Sequence, residues 1–191
     1  MSSAHHQLYD KAGILHHDIS VNNLMVDAED PSVGVLIDLD LAVRLKDAES
    51  QAPFRPVPAG TLAFRAIDVL EQGEFAHTLY YRHDLESFFY TLVWILTYHT
   101  QGFSRARADL IRWHDSSTLV ISDRKRGFLI SPNFTLPEGP LKPVWLLKLA
   151  KLFDDGYKQI ESVPPADMTT MGGLITYETF MAILNQFSFD T

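Results

Sequence analysis

The sequence predicts a mainly α protein with a few short β-strands (α+β), and three observations carry that expectation. Three apolar runs of two or three residues stand near the N-terminus: Ile14-Leu15, Leu24-Met25-Val26 and Val35-Leu36-Ile37. Runs this short, rich in Val, Ile and Leu and bounded by turn residues, read as strands. From Ala66 onward the pattern is helical, and residues 83–100 are apolar on nearly every face, as in a buried central helix. Amphipathic stretches follow at 104–115, 143–162 and 176–187, separated by loops with Pro132, Pro137, Pro140, Pro164, Pro165, Gly172 and Gly173.

In chain order, residues 4–12 suit a short helix with Gly13 as its stop. The first strand leads into His16-His17-Asp18. The second is followed by an Asp27-to-Gly34 turn carrying Pro31 and Ser32, so it pairs with the third as a hairpin. The third ends at Asp38. Residues 46–60 read as a loop, because Pro53, Pro56 and Pro58 deny both a helix and an interior strand.

The 191 residues, 46% of them hydrophobic, can bury one ordinary core and are too few for two domains of typical size. Sixteen Lys+Arg against twenty-four Asp+Glu give a formal charge of −8. That balance argues against a nucleic-acid or anionic-membrane surface and suits a working site that takes a cation. There is no cysteine, so disulfides, zinc ribbons and thiol nucleophiles are excluded. The opening Met1-Ser2-Ser3-Ala4-His5-His6 has neither a basic nor an apolar signal region. The most apolar stretch, Phe88 to Tyr98, is about half a membrane span. The expectation is a soluble, intracellular protein.

Acidic and amide residues collect at the strand ends. Asp18 and Asn23 are five apart, and Asp38 closes the third strand. A hairpin can bring Asn23 and Asp38 together, and both offer the hard oxygen ligands that Mg²⁺ takes. Asp18, in the loop beside them, can accept a proton from a hydroxyl. Taken singly, these are ordinary turn residues that satisfy nearby amides. Taken together, H-x-D, Asn five after the Asp, and an Asp at the end of an apolar strand follow the kinase order of catalytic loop and metal Asp.

Further segments extend the order: Gly60-Thr61-Leu62-Ala63-Phe64-Arg65-Ala66-Ile67-Asp68, with Ala66-Ile67-Asp68 where A-P-E is usual, and His83-Asp84-Leu85-Glu86-Ser87 opening the buried helix. With G-I-L-H-H-D-I-S-V-N-N and L-I-D-L-D-L-A, the chain resembles the C-terminal lobe of the fungal-type protein kinases. The resemblance is strong over residues 12–98. Beyond them it rests on Trp113, the Lys/Arg stretch at 124–126 and the helical pattern. It implies one kinase-like C-lobe over residues 1–191, with catalytic loop 16–23, metal-Asp segment 37–42, activation segment 38–68 and central helix 83–100, and with no N-lobe.

The resemblance also implies roles. Asp18 would be the base that orients and deprotonates the substrate hydroxyl. Asn23 and Asp38 would hold Mg²⁺ across the ATP phosphates. Met25 matches an apolar position beneath adenine, or is a strand residue of the core. Thr61 matches a substrate-binding threonine, or is a turn former. His16, Asp68 and Asp84 would be structural supports, Asp84 by accepting hydrogen bonds from the catalytic-loop backbone. The cofactors would be ATP and Mg²⁺, and the partner a protein substrate.

Departures accompany the match. His17 replaces the Arg of H-R-D and cannot grip a phosphate as a bidentate partner. Ser20 replaces a Lys, Asp40 the Gly of D-F-G, Leu39 its Phe, Ile67 the Pro and Asp68 the Glu of A-P-E. No G-x-G-x-x-G occurs, and only fifteen residues precede His16. A Gly-rich loop and strand Lys are therefore expected on an upstream N-lobe of a longer chain, and this chain would have little activity alone. Two alternatives stay open: a non-catalytic kinase-like scaffold, and a small-molecule kinase of the aminoglycoside or choline type.

Overall fold

The structure is a computed structural model that describes residues 2–45, 61–72, 78–99, 110–114, 117–132, 144–162 and 167–186. The loop expected at 46–60, and with it Gly60 and most of the activation segment, lies outside the described residues. The described part is mostly helical with two small sheets, which is the predicted class.

Helix α1 (Ser2–Ala12) starts two residues before the expected position and ends where expected. Gly13 turns left-handed at φ 63°, and its amide donates to the Tyr9 carbonyl at 2.8 Å. A Cβ there would meet nothing, so glycine serves the backbone conformation rather than space. Strand β1 (Ile14–Leu15) follows. A 3₁₀ turn (Val21–Asn23) leads into β2 (Leu24–Val26), which pairs antiparallel with β3 (Gly34–Leu36) in the register Leu24↔Leu36, Met25↔Val35 and Val26↔Gly34.

The hairpin is therefore present, although β3 stops one residue short of Ile37. β1 does not join it. β1 pairs antiparallel with β4 (Val43–Arg44), a strand too short to carry a sequence pattern.

A second 3₁₀ turn (Leu62–Phe64) precedes α2 (Ile67–Gln72). The central helix α3 (Tyr81–His99) begins two residues before the expected start, and residue 100 is outside the described part. Leu85, Phe89, Tyr90 and Val93 are all at 0% exposure. Its buried hydroxyls donate back one turn, Thr91 Oγ1 to the Ser87 carbonyl and Thr97 Oγ1 to the Val93 carbonyl, each at 2.8 Å. Such back-bonding lets polar residues sit inside a buried helix.

Of the helix expected at 104–115, only residues 110–114 are described. They form a short turn in which the Trp113 amide donates to the Leu110 carbonyl at 2.9 Å. Helix α4 (Thr118–Ile130) was not expected. Its buried positions are Ile121, Ser122, Lys125 and Leu129, so polar residues occupy half of its inward stripe and hide the helical period. α5 (Val144–Ser162) and α6 (Tyr177–Asn185) fall where the amphipathic pattern placed them. Thr176 and Thr179 close α6 with a reciprocal cap. One cluster joins Ile19, Phe64, Leu85, Phe89, Phe153 and Phe180.

Candidate active site

Asp84, in the first turn of α3, organises the loop that carries Asp18. It is 3% exposed, and its two oxygens accept three hydrogen bonds: His16 N at 2.8 Å and His5 Nε2 at 2.8 Å on Oδ2, and His17 N at 3.0 Å on Oδ1. Burial opposes the charge, but the His5 contact, the nearby His17 and the His16 amide hold the carboxyl below its usual range. His17 takes the strained φ of 65° between these anchors. Burial pushes the His17 imidazole down, so it is neutral near pH 7. Ile19 and Ser20, at 2% and 1% exposure, pin the loop to the core just after the half-exposed Asp18.

His16 joins this loop to the next segment. The Asp18 amide donates to His16 Nδ1 at 3.3 Å, which leaves Nε2 as the protonated nitrogen that donates to the Ile37 carbonyl at 3.0 Å. The Asn23 amide group donates to the Asp18 carbonyl at 2.8 Å and to Asp18 Oδ2 at 3.0 Å. The Ile37 amide then donates to the Asn23 carbonyl at 3.0 Å. The β2–β3 register thus sets Asp38 next to the Asp18–Asn23 turn.

Asp38 itself is exposed, has φ 65°, and accepts the Asp40 amide at 3.3 Å. The Asn23 amide nitrogen is committed to Asp18. Its amide oxygen and the exposed Asp38 carboxylate are hard oxygen donors, the type that could hold Mg²⁺. Among the described residues no group of three His, Asp or Glu side chains converges as an all-protein ion cage. Met25 is 51% exposed on the hairpin rather than packed in the core.

The segment from Thr61 to Asp68 is held from several helices. Thr61 is half-buried, and its carbonyl takes the Phe64 amide at 2.9 Å. Asp68 pairs with Arg82 Nη2 and lies 3.7 Å from His83 Nε2. Burial raises the Asp68 pKa, but His83 and Arg82 outweigh it and hold the carboxyl at about 2. Arg82 also donates from Nε to the Met168 carbonyl at 2.8 Å, tying the segment to the loop before α6.

Residues 2–96 match the family model described as fungal protein kinase. The chain belongs to the fungal protein kinase family. No curated protein matches the chain. The family match covers the loop, the hairpin, the Thr61–Asp68 segment and most of α3.

Three site residues escaped sequence reasoning: His5, Arg82 and Glu86. Glu86 is at 0% exposure and accepts from Ile67 N at 3.0 Å, Tyr90 OH at 2.8 Å and Tyr157 OH at 2.6 Å. Burial pushes its pKa up, and those three donors favour the charged form. The available signal was a charged residue inside an otherwise apolar helix, since such groups are rarely buried unless paired. For His5 and Arg82 the sequence held no comparable signal. Among the described residues no helix is long and apolar enough to cross a membrane.

Proposed function

We propose that the chain is the catalytic-loop-bearing lobe of an ATP-dependent protein kinase that phosphorylates serine or threonine hydroxyls. The observation that carries this reading is the Asn23 clasp. One side chain bonds both the carbonyl and the carboxylate of Asp18, while its own backbone takes the amide next to Asp38. The clasp supports the reading because it ties Asp18 to Asn23 and keeps the neighbour of Asp38 beside them, and phosphoryl transfer depends chiefly on positioning and electrostatics.

Asn23 and Asp38 would hold Mg²⁺, which would supply charge neutralisation on the phosphates. Asn23 fixes Oδ2 of Asp18, which leaves Oδ1 to receive the proton of the attacking hydroxyl. Thr61–Asp68 receives the acceptor polypeptide, and Met25 supports adenine from the exposed hairpin. The Gly-rich loop and its lysine come from a further lobe.

The test is a titration of Mg-ATP into the purified chain and into Asp38→Ala, followed by heat and by melting temperature. The expected result is a saturable signal that the variant loses. Asp18→Asn should keep that signal and, in the chain joined to the lobe with the Gly-rich loop, lower transfer by about 10²–10⁴-fold. A second reading, a kinase-like binding module, is favoured by Ser20, which is buried and uncharged where a lysine is usual. Absence of any nucleotide signal once that further lobe is joined to the wild type would select it.

A further inference from the structure

Lys125 and Trp113 stand out in the sequence beyond the region of strong resemblance, and the site described above gives neither a task. Lys125 projects from α4 and is at 0% exposure. Its ammonium lies 3.8 Å from the centre of the Tyr90 ring and 5.3 Å from that of Trp113, and Nζ donates to the Arg65 carbonyl. An ammonium is strongly penalised in such a place unless charge and hydrogen bonds compensate.

Compensation comes from Glu86 through Tyr90. The ring face takes the ammonium, and the hydroxyl of the same ring donates to Glu86 Oε1. Glu86 Oε1 also takes the Ile67 amide. Two residues apart on an irregular stretch of backbone, a carbonyl and an amide are therefore satisfied by two buried side chains that share the Tyr90 ring. An irregular buried segment must find partners for these groups somewhere.

We propose that Lys125 is a positioning residue for the acceptor side of the site: with Glu86 it grips the Arg65 carbonyl and the Ile67 amide, and so sets the conformation in which Thr61 and Arg65 meet a hydroxyl-bearing substrate. The proposal rests on the reading of Asp18 and Thr61–Asp68 given above. Arg65 links the grip to the chemistry. Burial lowers its pKa while the Asp18 carboxylate opposes the shift, so the guanidinium stands in the field of the catalytic-loop carboxylate. The helix that holds Arg65 lies outside the residues matching the family model.

The test uses Lys125→Met, which keeps the length of the side chain and removes the donor. Hydrogen exchange is followed in a peptide spanning 61–68 and in one spanning 177–185, which shares the core but not the grip. Exchange in 61–68 should quicken about ten- to a hundredfold, as for loss of a hydrogen bond to a charged group, while 177–185 is unchanged. Equal acceleration of both peptides, or none in either, would overturn the grip. If the variant does not fold, a through-hydrogen-bond NMR coupling between Lys125 Nζ and the Arg65 carbonyl carbon in the wild type decides the matter, and its absence overturns the proposal.

Transfer to a serine peptide library, by the chain joined to the lobe that carries its Gly-rich loop, separates the acceptor role from the site reading. Lys125→Met should raise KM for peptide about tenfold or more and leave KM for Mg-ATP unchanged. The reverse pattern overturns the acceptor role. A wild type so joined that neither binds nucleotide nor transfers phosphate overturns the site reading and the acceptor role together, whereas hydrogen exchange, or the NMR coupling where the variant does not fold, decides the grip.

Discussion

Asp84 takes three hydrogen bonds on two oxygens, and two of them come from the consecutive amides of His16 and His17. Asp84→Asn keeps the shape but turns one acceptor into a donor facing an amide. The cost should be about 3–5 kcal/mol, as for breaking a buried charged pair, measured by denaturant unfolding, and Mg-ATP binding should weaken with it. Asp68 makes a prediction in pH. Its folded pKa of about 2 lies below the ordinary 3.8. The unfolded chain therefore binds more protons in this window, so stability rises with pH across it. The contribution is fully present above the ordinary value and is lost as pH falls through about 4 to about 2. Its size is about 2 kcal/mol. Asp68→Asn should be less stable near pH 7 and lose that part of the acid slope, as read by denaturant midpoints from pH 2 to 6.

Among the elements, Gly156 sits where α5 meets the loop before α6. A Cβ there would lie 2.7 Å from Met171 Sδ and 3.2 Å from Ile175. In an open helix, Gly→Ala gains about 1 kcal/mol. Here the neighbours are at 0% and 1% exposure, and overpacking a tight core costs about 1–3 kcal/mol. The second effect wins, so Gly156→Ala should lower stability by about 1 kcal/mol by thermal or denaturant melting. Elements with local signatures were legible. Gly13 stops α1, the turn residues around Pro31 make the hairpin, and the apolar faces of α3, α5 and α6 mark their spans. α4 was not, because Ser122 and Lys125 stand on its buried face and the partner of Lys125 is distant. Lys125 meets a carbonyl sixty residues away, and Glu86 meets a tyrosine hydroxyl seventy-one residues away. Asp18, Asn23 and Asp38 could be singled out because their order along the chain matches a known one. His5 and Arg82 could not, because only the folded chain brings them to Asp84 and Asp68.

At the scale of the whole molecule, the family match ends at residue 96, inside α3, while the core does not divide there. Phe89 of α3 packs against Phe128 of α4 and Phe153 of α5, with ring centres 6.2 and 5.4 Å away, and Tyr90 packs against Trp113 at 5.3 Å. Glu86 loses Tyr157 and the Arg65 carbonyl loses Lys125 if the chain is cut after α3. A shortened chain of residues 1–99 would thus expose one side of its central helix and keep a buried carboxylate with one of its three donors gone. Exposing that face forfeits about 1.5–3 kcal/mol for each large side chain, against a net stability of about 5–15 kcal/mol for an ordinary domain. Two such side chains, Phe89 and Tyr90, already take a large share of that total, and the lost donor adds to it. Residues 1–99 should therefore show no cooperative melt by circular dichroism and a collapsed amide dispersion by NMR, and adding residues 110–186 back in the full chain should restore both. A sharp melt of the short chain would mean that α3 finds its partners within the first half, and that α4 to α6 are appended to the site rather than part of what holds it.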